Sequence, residues 1–390
     1  ISPFYYIILF NDSTHTHTHT HTHTMSSKKA CIAIVGASGT VGGALIKAIQ
    51  AQAGALESTL GSQLRIVGVA NTKNMLVSSD GVDNQWREKL MTRGPDGEEV
   101  NLRLFGQQVA TAASAAVSCG IMVDCSASEA VPCLYTEWMQ MGLHIVTPNK
   151  KFGAGPLPRY HELKQLAMKT KRQFMYEATV GAGLPIISTL RSLLETGDRV
   201  TKIEGILSGT LSYIFNTYKA GTPFSSVVQN AKEKGYTEPD PREDLSGMDV
   251  ARKVVILARE CGLQVELDTL VLESLVPEPL VGLDVDEFMA KLPEYDASMA
   301  QRASAAEAAN QVVRYVGSVD VVAGKAAIKV ASYAREHPFA QLGGSDNIVV
   351  FETERYKSPL IVRGPGAGTE VTAAGVFSDI IQIVRSHHSS

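Results

Sequence analysis

Apolar runs of strand length alternate with amphipathic segments of helix length over the first half of the chain. The first run, 31–35, is followed by a glycine-rich turn and a helical pattern over 40–50. Further strand-like runs lie at 64–70, 121–125, 144–147 and 174–177, separated by helix-length segments such as 129–141 and 160–170. Because parallel strands are joined by crossover helices, this alternation predicts an α/β fold with a doubly wound parallel sheet.

The pattern changes after about residue 178. Amphipathic runs lie at 186–195, 225–234 and 249–261, and β-rich runs at 200–207, 312–322, 325–333 and 347–352. This order predicts a second, α+β domain with a largely antiparallel sheet. The segment 360–385 passes from a strand through GPGAG into a helix. We therefore divide the chain into 1–24, a first domain over 25–177, a second over 178–346, and a segment 347–390 that returns to the first domain.

The turn between the first strand and the first helix reads GASGTVG and places Gly36, Gly39 and Gly42 in a G-x-x-G-x-x-G spacing. Glycines there permit a tight turn and a close approach of the backbone to a pyrophosphate, and the helix N-terminus attracts the anion. The turn therefore predicts a Rossmann-like dinucleotide site that includes Thr40 and Val41. The spacing is one residue longer than G-x-G-x-x-G.

The second strand ends in Ala70, Asn71, Thr72 and Lys73. An acidic residue at this position would bind the ribose 2′-hydroxyl of NAD. Asn71 and its neighbours are instead donors suited to a 2′-phosphate, so the sequence favours NADP, with NAD still possible.

The densest polar cluster is GYTEPDPREDLSGMDVARK at 235–253, a proline-rich loop that leads into a helix. Asp249 and Lys253 are four residues apart and therefore share one face of that helix. A lysine beside a carboxylate can relay a proton to or from a substrate hydroxyl during hydride transfer. Taken alone, this segment favours an ordinary surface ion pair over a catalytic one.

Three other positions carry candidate chemistry. The turn EATVGAGLP at 177–185 combines Glu177 with several carbonyl oxygens, which suit a hard cation. Lys150 follows a strand at the edge of the sheet where ligands bind. Cys125 is a conceivable nucleophile, but a buried structural cysteine is the favoured interpretation, because no histidine lies nearby in the sequence.

The composition excludes several classes of protein. The 390 residues carry 36 basic and 40 acidic side chains, a net charge of -4, which disfavours nucleic acid as a partner. Five cysteines without C-x-x-C pairs indicate a reducing compartment, and the cytoplasm is the expected location. No stretch is long and apolar enough to predict a membrane span. The segment before Met25 ends in a Thr-His repeat, and we expect it to be a disordered leader outside the fold.

Several longer motifs together identify a family. They are TPNKK (147–151), EATVGAGLPIIS (177–188), GILSGTLSYIFN (205–216), the 235–253 cluster, GGSDN (343–347) and GPGAGTEVTAAGVFSD (364–379). With the glycine turn, these motifs make the chain resemble the short, single-function form of homoserine dehydrogenase, which lacks an aspartate kinase domain.

The resemblance implies NAD(P)-dependent interconversion of L-homoserine and L-aspartate 4-semialdehyde, in a homodimer whose second domain binds substrate and forms the dimer. It implies that Lys253 exchanges the substrate proton and that Asp249 positions it. Lys150 would lie near nicotinamide and substrate. The other roles it implies are substrate binding by Glu238, Asp244 and Asp249, cofactor binding by Gly36, Gly39, Val41, Gly42, Ser126 and Gly368, and sodium binding by Glu177 and the carbonyls of Val180, Ala182 and Leu184.

Two other functions remain as alternatives at this point. One is a related oxidoreductase such as aspartate-semialdehyde dehydrogenase, with Cys125 as nucleophile. The other is a catalytically silent NADP-binding regulator, against which the presence of both Asp249 and Lys253 argues.

Overall fold

The computed structural model describes residues 28–92, 98–116 and 119–388. Within these ranges the chain forms two β-sheets that are covered by helices. The segment 1–24 and Met25 lie outside the described residues. None of the helices in these ranges has the length and apolar character that a membrane span requires.

The first sheet has seven strands. They are β1 (Lys28–Val35), β2 (Ser62–Ala70), β3 (Asn74–Val77), β4 (Glu98–Glu99), β5 (Cys119–Asp124), β6 (His144–Val146) and β7 (Phe174–Met175). Their spatial order is β4-β3-β2-β1-β5-β6-β7, and the five strands from β2 to β7 in that order are parallel. At the other edge, β3 pairs antiparallel with both β2 and β4. The predicted doubly wound sheet is confirmed.

Helices cover both faces of this sheet. They are α1 (Thr40–Leu60), α2 (Trp86–Met91), α3 (Leu102–Ala115), α4 (Tyr135–Gln140), α5 (Lys150–Gly153) and α6 (Leu157–Thr170). Ile32 and Ile34 of β1 belong to a buried cluster with α1, whereas Ala33 and Val35 belong to another with Phe105 of α3. Burial on both faces explains why β1 reads as one apolar run. The predicted helix over 129–141 is a 3-10 turn, Val131–Leu134, followed by the short α4.

The second sheet has six strands. They are β8 (Val200–Ile206), β9 (Val271–Leu272), β10 (Gln311–Asp320), β11 (Lys325–Ala334), β12 (Asn347–Thr353) and β13 (Leu360–Gly364). Their order is β13-β12-β8-β10-β11-β9, and every pairing except that of β11 with β9 is antiparallel. The remaining helices are α7 (Ile187–Glu195), α8 (Gly209–Thr217), α9 (Phe224–Glu233), α10 (Pro241–Leu245), α11 (Met248–Glu260), α12 (Val285–Lys291), α13 (Asp296–Ala308) and α14 (Thr369–His388). The second, α+β unit is also confirmed.

The segment 347–390 divides between the two sheets, whereas the sequence predicted that all of it returns to the first domain. β12 and β13 belong to the second sheet, because the apolar residues of β12 are buried there beside β8. Only α14 packs on the first sheet, where Val376 and Ile380 join the cluster around Ile32 and Leu45.

Helix α11 connects the two parts of the molecule. Its apolar residues Val250, Val254 and Leu257 are buried, as the sequence pattern predicts. It contacts α5 of the first part and β10 and β11 of the second. At its last turn, the Arg259 guanidinium donates to the carbonyl of Gly153 at 2.8 Å. The residues of α11 are therefore held at the junction of both sheets.

Candidate active site

The glycine turn lies against the carboxyl end of β5, as the dinucleotide prediction requires. Gly36 has a φ of +78°, and its amide donates to the Ala70 carbonyl at 2.9 Å. A Cβ on Gly36 would lie 2.9 Å from the backbone of Cys125, and a Cβ on Gly42 would lie 2.4 Å from the Gly36 carbonyl oxygen. Only glycine fits these two positions without moving the backbone.

The first turn of α1 offers unpaired backbone donors. Gly39 is the N-cap residue, and no side chain caps the helix. Thr40 and Val41 begin the helix, so their amides and the helix dipole face the end where Gly36 and Gly39 turn. Ser126 lies next to this turn, with its amide 3.0 Å from a Cβ built on Gly36. The predicted pyrophosphate residues and Ser126 are thus together.

Asn71, a predicted cofactor residue, uses its side chain to fold the β2–β3 turn. Its Oδ1 accepts from the amides of Lys73 and Asn74, both at 2.8 Å. Its Nδ2 donates to the Leu90 carbonyl at 3.3 Å. The amide is therefore committed to local structure, whereas Thr72 and Lys73 beside it are exposed.

Arg87 is a cation that the sequence analysis missed. It lies on α2, far along the chain from the glycine turn, yet its guanidinium donates to the Ser38 carbonyl at 3.0 Å. Its Nη1 lies 3.4 Å from a Cβ built on Gly43 in α1. The lack of an acid after β2 suggested a 2′-phosphate on the cofactor. No sequence pattern indicated which cation, distant along the chain, would lie beside that phosphate.

Lys253 is buried, with only 7% of the residue exposed. Its Nζ donates to the Leu207 carbonyl at 2.6 Å and to Asp249 Oδ2 at 2.7 Å. An ammonium has three donors, so one remains for a substrate. The spacing of Asp249 and Lys253 on one helix face is confirmed. The buried Lys253 distinguishes the pair from one in which both partners are exposed, while 45% of the Asp249 side chain remains accessible. Leu207 lies in the 205–216 motif that supports the family resemblance, but no sequence pattern indicated that its carbonyl would accept a hydrogen bond from Lys253.

Asp249 also contacts the second predicted lysine, since Lys150 Nζ lies 3.3 Å from Asp249 Oδ1. Burial would raise the pKa of Asp249, but the charges of Lys253 and Lys150 outweigh it and hold this pKa well below its usual value. Burial lowers the pKa of Lys150, and Asp249 opposes that shift. One carboxylate therefore keeps two ammonium groups together at the junction of the two sheets.

A cavity of about 650 Å³ opens beside Lys253, and Glu238, Asp244 and Asp249 line it. Asp244 Oδ2 accepts from the Glu238 amide at 2.8 Å, which fixes the two acids relative to each other. Burial raises the pKa of Asp244, against the opposing hydrogen bonds from Glu238 and Thr210. Such a wall suits a small zwitterion whose ammonium faces the acids.

The GPGAG segment forms another wall of this cavity. Pro365, Gly366 and Ala367 line it, and the next residue, Gly368, has a φ of +122° immediately before α14. The predicted cofactor residue Gly368 therefore lies at the rim of the cavity that contains Lys253.

The predicted sodium residues lie in the turn before α7. Glu177 is buried, and its two carboxylate oxygens accept from the Ile187 amide at 2.7 Å and the Ser188 amide at 2.8 Å. No ion pair with Glu177 is formed among the described residues. Ala182 has a φ of +54° within this turn. A buried carboxylate without a basic partner fits a monovalent cation held also by the carbonyls of Val180, Ala182 and Leu184.

Cys125 lacks the surroundings of a nucleophile. Burial raises the pKa of its thiol, and the charge of Asp124 raises it further, so the thiolate is disfavoured. This disfavours the alternative in which Cys125 attacks a substrate.

Comparisons with known proteins decide the family. The homoserine dehydrogenase family matches residues 185–381, and the homoserine dehydrogenase NAD-binding domain matches residues 38–177. The chain belongs to the homoserine dehydrogenase family. Homoserine dehydrogenase from Saccharomyces cerevisiae is 41% identical over 93% of this chain and 99% of its own.

The chain also matches longer, bifunctional relatives and solved structures. The chloroplastic bifunctional aspartokinase/homoserine dehydrogenase 2 of Arabidopsis thaliana is 50% identical over 92% of this chain, which spans 39% of that relative's length. A hyperthermophilic archaeal homoserine dehydrogenase mutant in complex with NADPH superposes with a TM-score of 0.69 at 26% identity, covering 92% of this chain and 98% of that one.

Proposed function

We propose that this chain interconverts L-homoserine and L-aspartate 4-semialdehyde with a nicotinamide cofactor. The observation that carries the proposal is the buried Lys253, which contacts Asp249 and Leu207 at the wall of a cavity lined by Glu238 and Asp244. The family membership supports the same reaction.

The cofactor, when bound, gives or accepts the hydride at the substrate carbon. Lys253 donates its proton to the oxygen when the aldehyde is reduced, and takes the hydroxyl proton when the alcohol is oxidised. Asp249 holds the Lys253 ammonium and Lys150 in place, and the positive charges stabilise the oxyanion that develops. Glu238 and Asp244 bind the substrate ammonium.

The test is the reduction of NADP⁺ and of NAD⁺ by L-homoserine, with 4-hydroxybutanoate as the comparison substrate. We expect turnover with L-homoserine and a loss of roughly 100-fold in kcat/KM with 4-hydroxybutanoate, because it leaves the acids of the cavity without their ammonium partner. Protein that binds NADPH but turns over neither substrate would contradict the proposal. It would revive the silent regulator.

The cofactor binds across the glycine turn in this proposal. Gly36, Gly39, Thr40, Val41 and Gly42 hold the pyrophosphate, and Ser126, Lys150 and Gly368 lie toward the nicotinamide. We infer that NADP is preferred, since the residues after β2 include Lys73 and no acid, and the Arg87 guanidinium contacts the glycine turn at Ser38. Arg87 takes the role that the sequence analysis gave to Asn71.

Arg87→Ala should raise the KM for NADPH by about tenfold and leave the KM for NADH nearly unchanged. A charge-assisted contact to the 2′-phosphate is lost, and NADH lacks that phosphate. Steady-state kinetics with both cofactors measures the effect, and Arg103→Ala on the surface of α3 is the control. Equal increases for NADPH and NADH would show that Arg87 only supports the turn through Ser38.

We also propose that a sodium ion binds at the Glu177 turn, where it neutralises the buried carboxylate. Sodium chloride should then raise the melting temperature above that in an equal concentration of choline chloride, and Glu177→Gln should remove the difference. The same response in Glu177→Gln and in wild type would exclude this site.

The homodimer remains a proposal, supported by the exposed edge strand β13, where Ile361 is 43% exposed. A monomer in sedimentation analysis would contradict it. The cytoplasmic location stays a prediction.

A further inference from the structure

A carboxylate that the proposed chemistry does not use lies at the end of β5. Asp124 is fully buried, with an exposed fraction of 0%. Its Oδ1 accepts from the amide and the hydroxyl of Ser126, at 2.8 and 2.6 Å. Its Oδ2 accepts from the Tyr135 hydroxyl at 2.6 Å and from Asn149 Nδ2 at 3.2 Å. Four donors therefore converge on this one side chain.

A buried carboxylate is costly unless its surroundings compensate for it. Burial raises the pKa of Asp124, and the hydrogen bonds from Ser126, Tyr135 and Asn149 act in the opposite direction. Within the described ranges, no basic side chain forms an ion pair with it. The net effect is a raised pKa for Asp124, so hydrogen bonds alone hold this buried carboxyl group in place among the described residues, which suggests a role for it beyond stability.

The first pair of donors connects Asp124 to the cofactor side. Ser126 directly follows the strand, and its hydroxyl also accepts from the Ser128 amide at 3.3 Å. The loop of Ser126 lies against the backbone of Gly36 in the glycine turn. The position of this loop is therefore tied to the Asp124 carboxylate.

The second pair connects Asp124 to the lysine side. Asn149 caps α5, since its Oδ1 accepts from the Lys151 amide at 3.0 Å, and Lys150 is the first residue of that helix. Thr147 strengthens the link by donating to the Asp124 carbonyl at 2.8 Å and accepting from the Asn149 amide at 2.9 Å. These hydrogen bonds join the ends of β5 and β6 next to the backbone of Lys150.

We propose that Asp124 is a positioning residue that, through Ser126 and Asn149, holds the cofactor loop and Lys150 in a fixed relation to each other. This inference rests on the proposed placement of the cofactor near Ser126 and Lys150. Three side chains and one backbone amide contribute the four donors, so the two acceptor oxygens of a carboxylate suit the position better than an amide, whose NH₂ would face donors.

Tyr135→Phe tests this with the least disturbance, because it removes one hydroxyl and keeps the ring packed against Trp138 and Phe152. Tyr160→Phe is the matched control: Tyr160 is also buried, in the same domain, and its hydroxyl contacts that of Tyr176 at 3.0 Å. We expect similar decreases in melting temperature for both variants. Only Tyr135→Phe should raise the NADPH Kd, by about tenfold, and lower kcat.

Coupling to the loop is tested by Ser126→Ala alone and together with Tyr135→Phe, in a double-mutant cycle on the NADPH Kd. Non-additive effects support the shared network, and additive effects refute it. If Tyr135→Phe binds NADPH as tightly as Tyr160→Phe, the positioning role is wrong even though wild type turns over L-homoserine. If Ser126→Ala alone leaves the Kd unchanged, the cofactor placement fails instead. NADPH fluorescence titration provides these values without turnover.

Discussion

Lys253→Ala is expected to lower kcat by roughly 100- to 10,000-fold, the range for loss of a positioned general acid or base. The Lys253 ammonium is the group that would exchange a proton with the substrate oxygen, and its contacts with Leu207 and Asp249 fix its place. Cofactor binding should persist, because the glycine turn is separate from α11. Turnover and NADPH titration on the same preparation measure both quantities.

Two further variants separate the roles of Lys253. Lys253→Arg keeps a positive charge but cannot release a proton near neutral pH, so we expect a loss as large as with alanine. Lys169→Ala removes an exposed lysine of α6 and should leave kcat unchanged. Near wild-type turnover in Lys253→Arg would show that only the charge matters, and the proton-transfer role would be wrong.

Asp249→Asn is expected to lower kcat/KM for L-homoserine by about 100-fold or more, since removal of one partner of a close charge pair leaves the others uncompensated. An amide can accept from only one of the two ammonium groups, and its NH₂ repels the other. Asp268→Asn, at an exposed acid outside the cavity, is the control. Unchanged kcat/KM in Asp249→Asn would mean that the lysines are held without it.

The pH dependence of Asp249→Asn provides a second readout. Asp249 opposes the effect of burial on Lys150, so its loss lowers the pKa of Lys150 further and moves the alkaline limb of the kcat/KM profile to lower pH. The pKa of Asp249 itself lies below the value of about 4 in an unfolded chain. Its ion pairs therefore stabilise the fold above about pH 4, and this stabilisation is lost as the pH falls. We expect the stability of Asp249→Asn to depend less on pH over the acidic range than that of wild type.

The sequence predicted the parts of the site that follow from local pattern. The apolar run before Gly36 and the glycines after it predicted the strand, the turn and the helix, because each element has its own periodicity. The spacing of Asp249 and Lys253 predicted their shared helix face for the same reason. The burial of Lys253 did not follow from spacing, since it depends on β10 and β11 packing against α11.

The contacts that the sequence could not predict join distant segments. Arg87 reaches the Ser38 carbonyl from a helix with no nucleotide-binding pattern, and Asp124 meets Tyr135 and Asn149 only because β5 and β6 are neighbours. The position of Asn71 after β2 predicts a cofactor contact, but its side-chain amide accepts hydrogen bonds from Lys73 and Asn74 in the β2–β3 turn instead. A side chain with a local backbone partner is difficult to distinguish in sequence from one that binds a ligand.

The most direct test of the central claim is a single turnover of bound NADPH mixed with L-aspartate 4-semialdehyde, in wild type and in Lys253→Ala, with NADPH carrying hydrogen or deuterium at the transferred position. We predict rapid oxidation in wild type that deuterium slows, and a rate lower by at least roughly 100-fold in Lys253→Ala with the cofactor still bound. Oxidation at the wild-type rate in Lys253→Ala would contradict the assignment of Lys253. No oxidation in wild type would contradict the reaction itself.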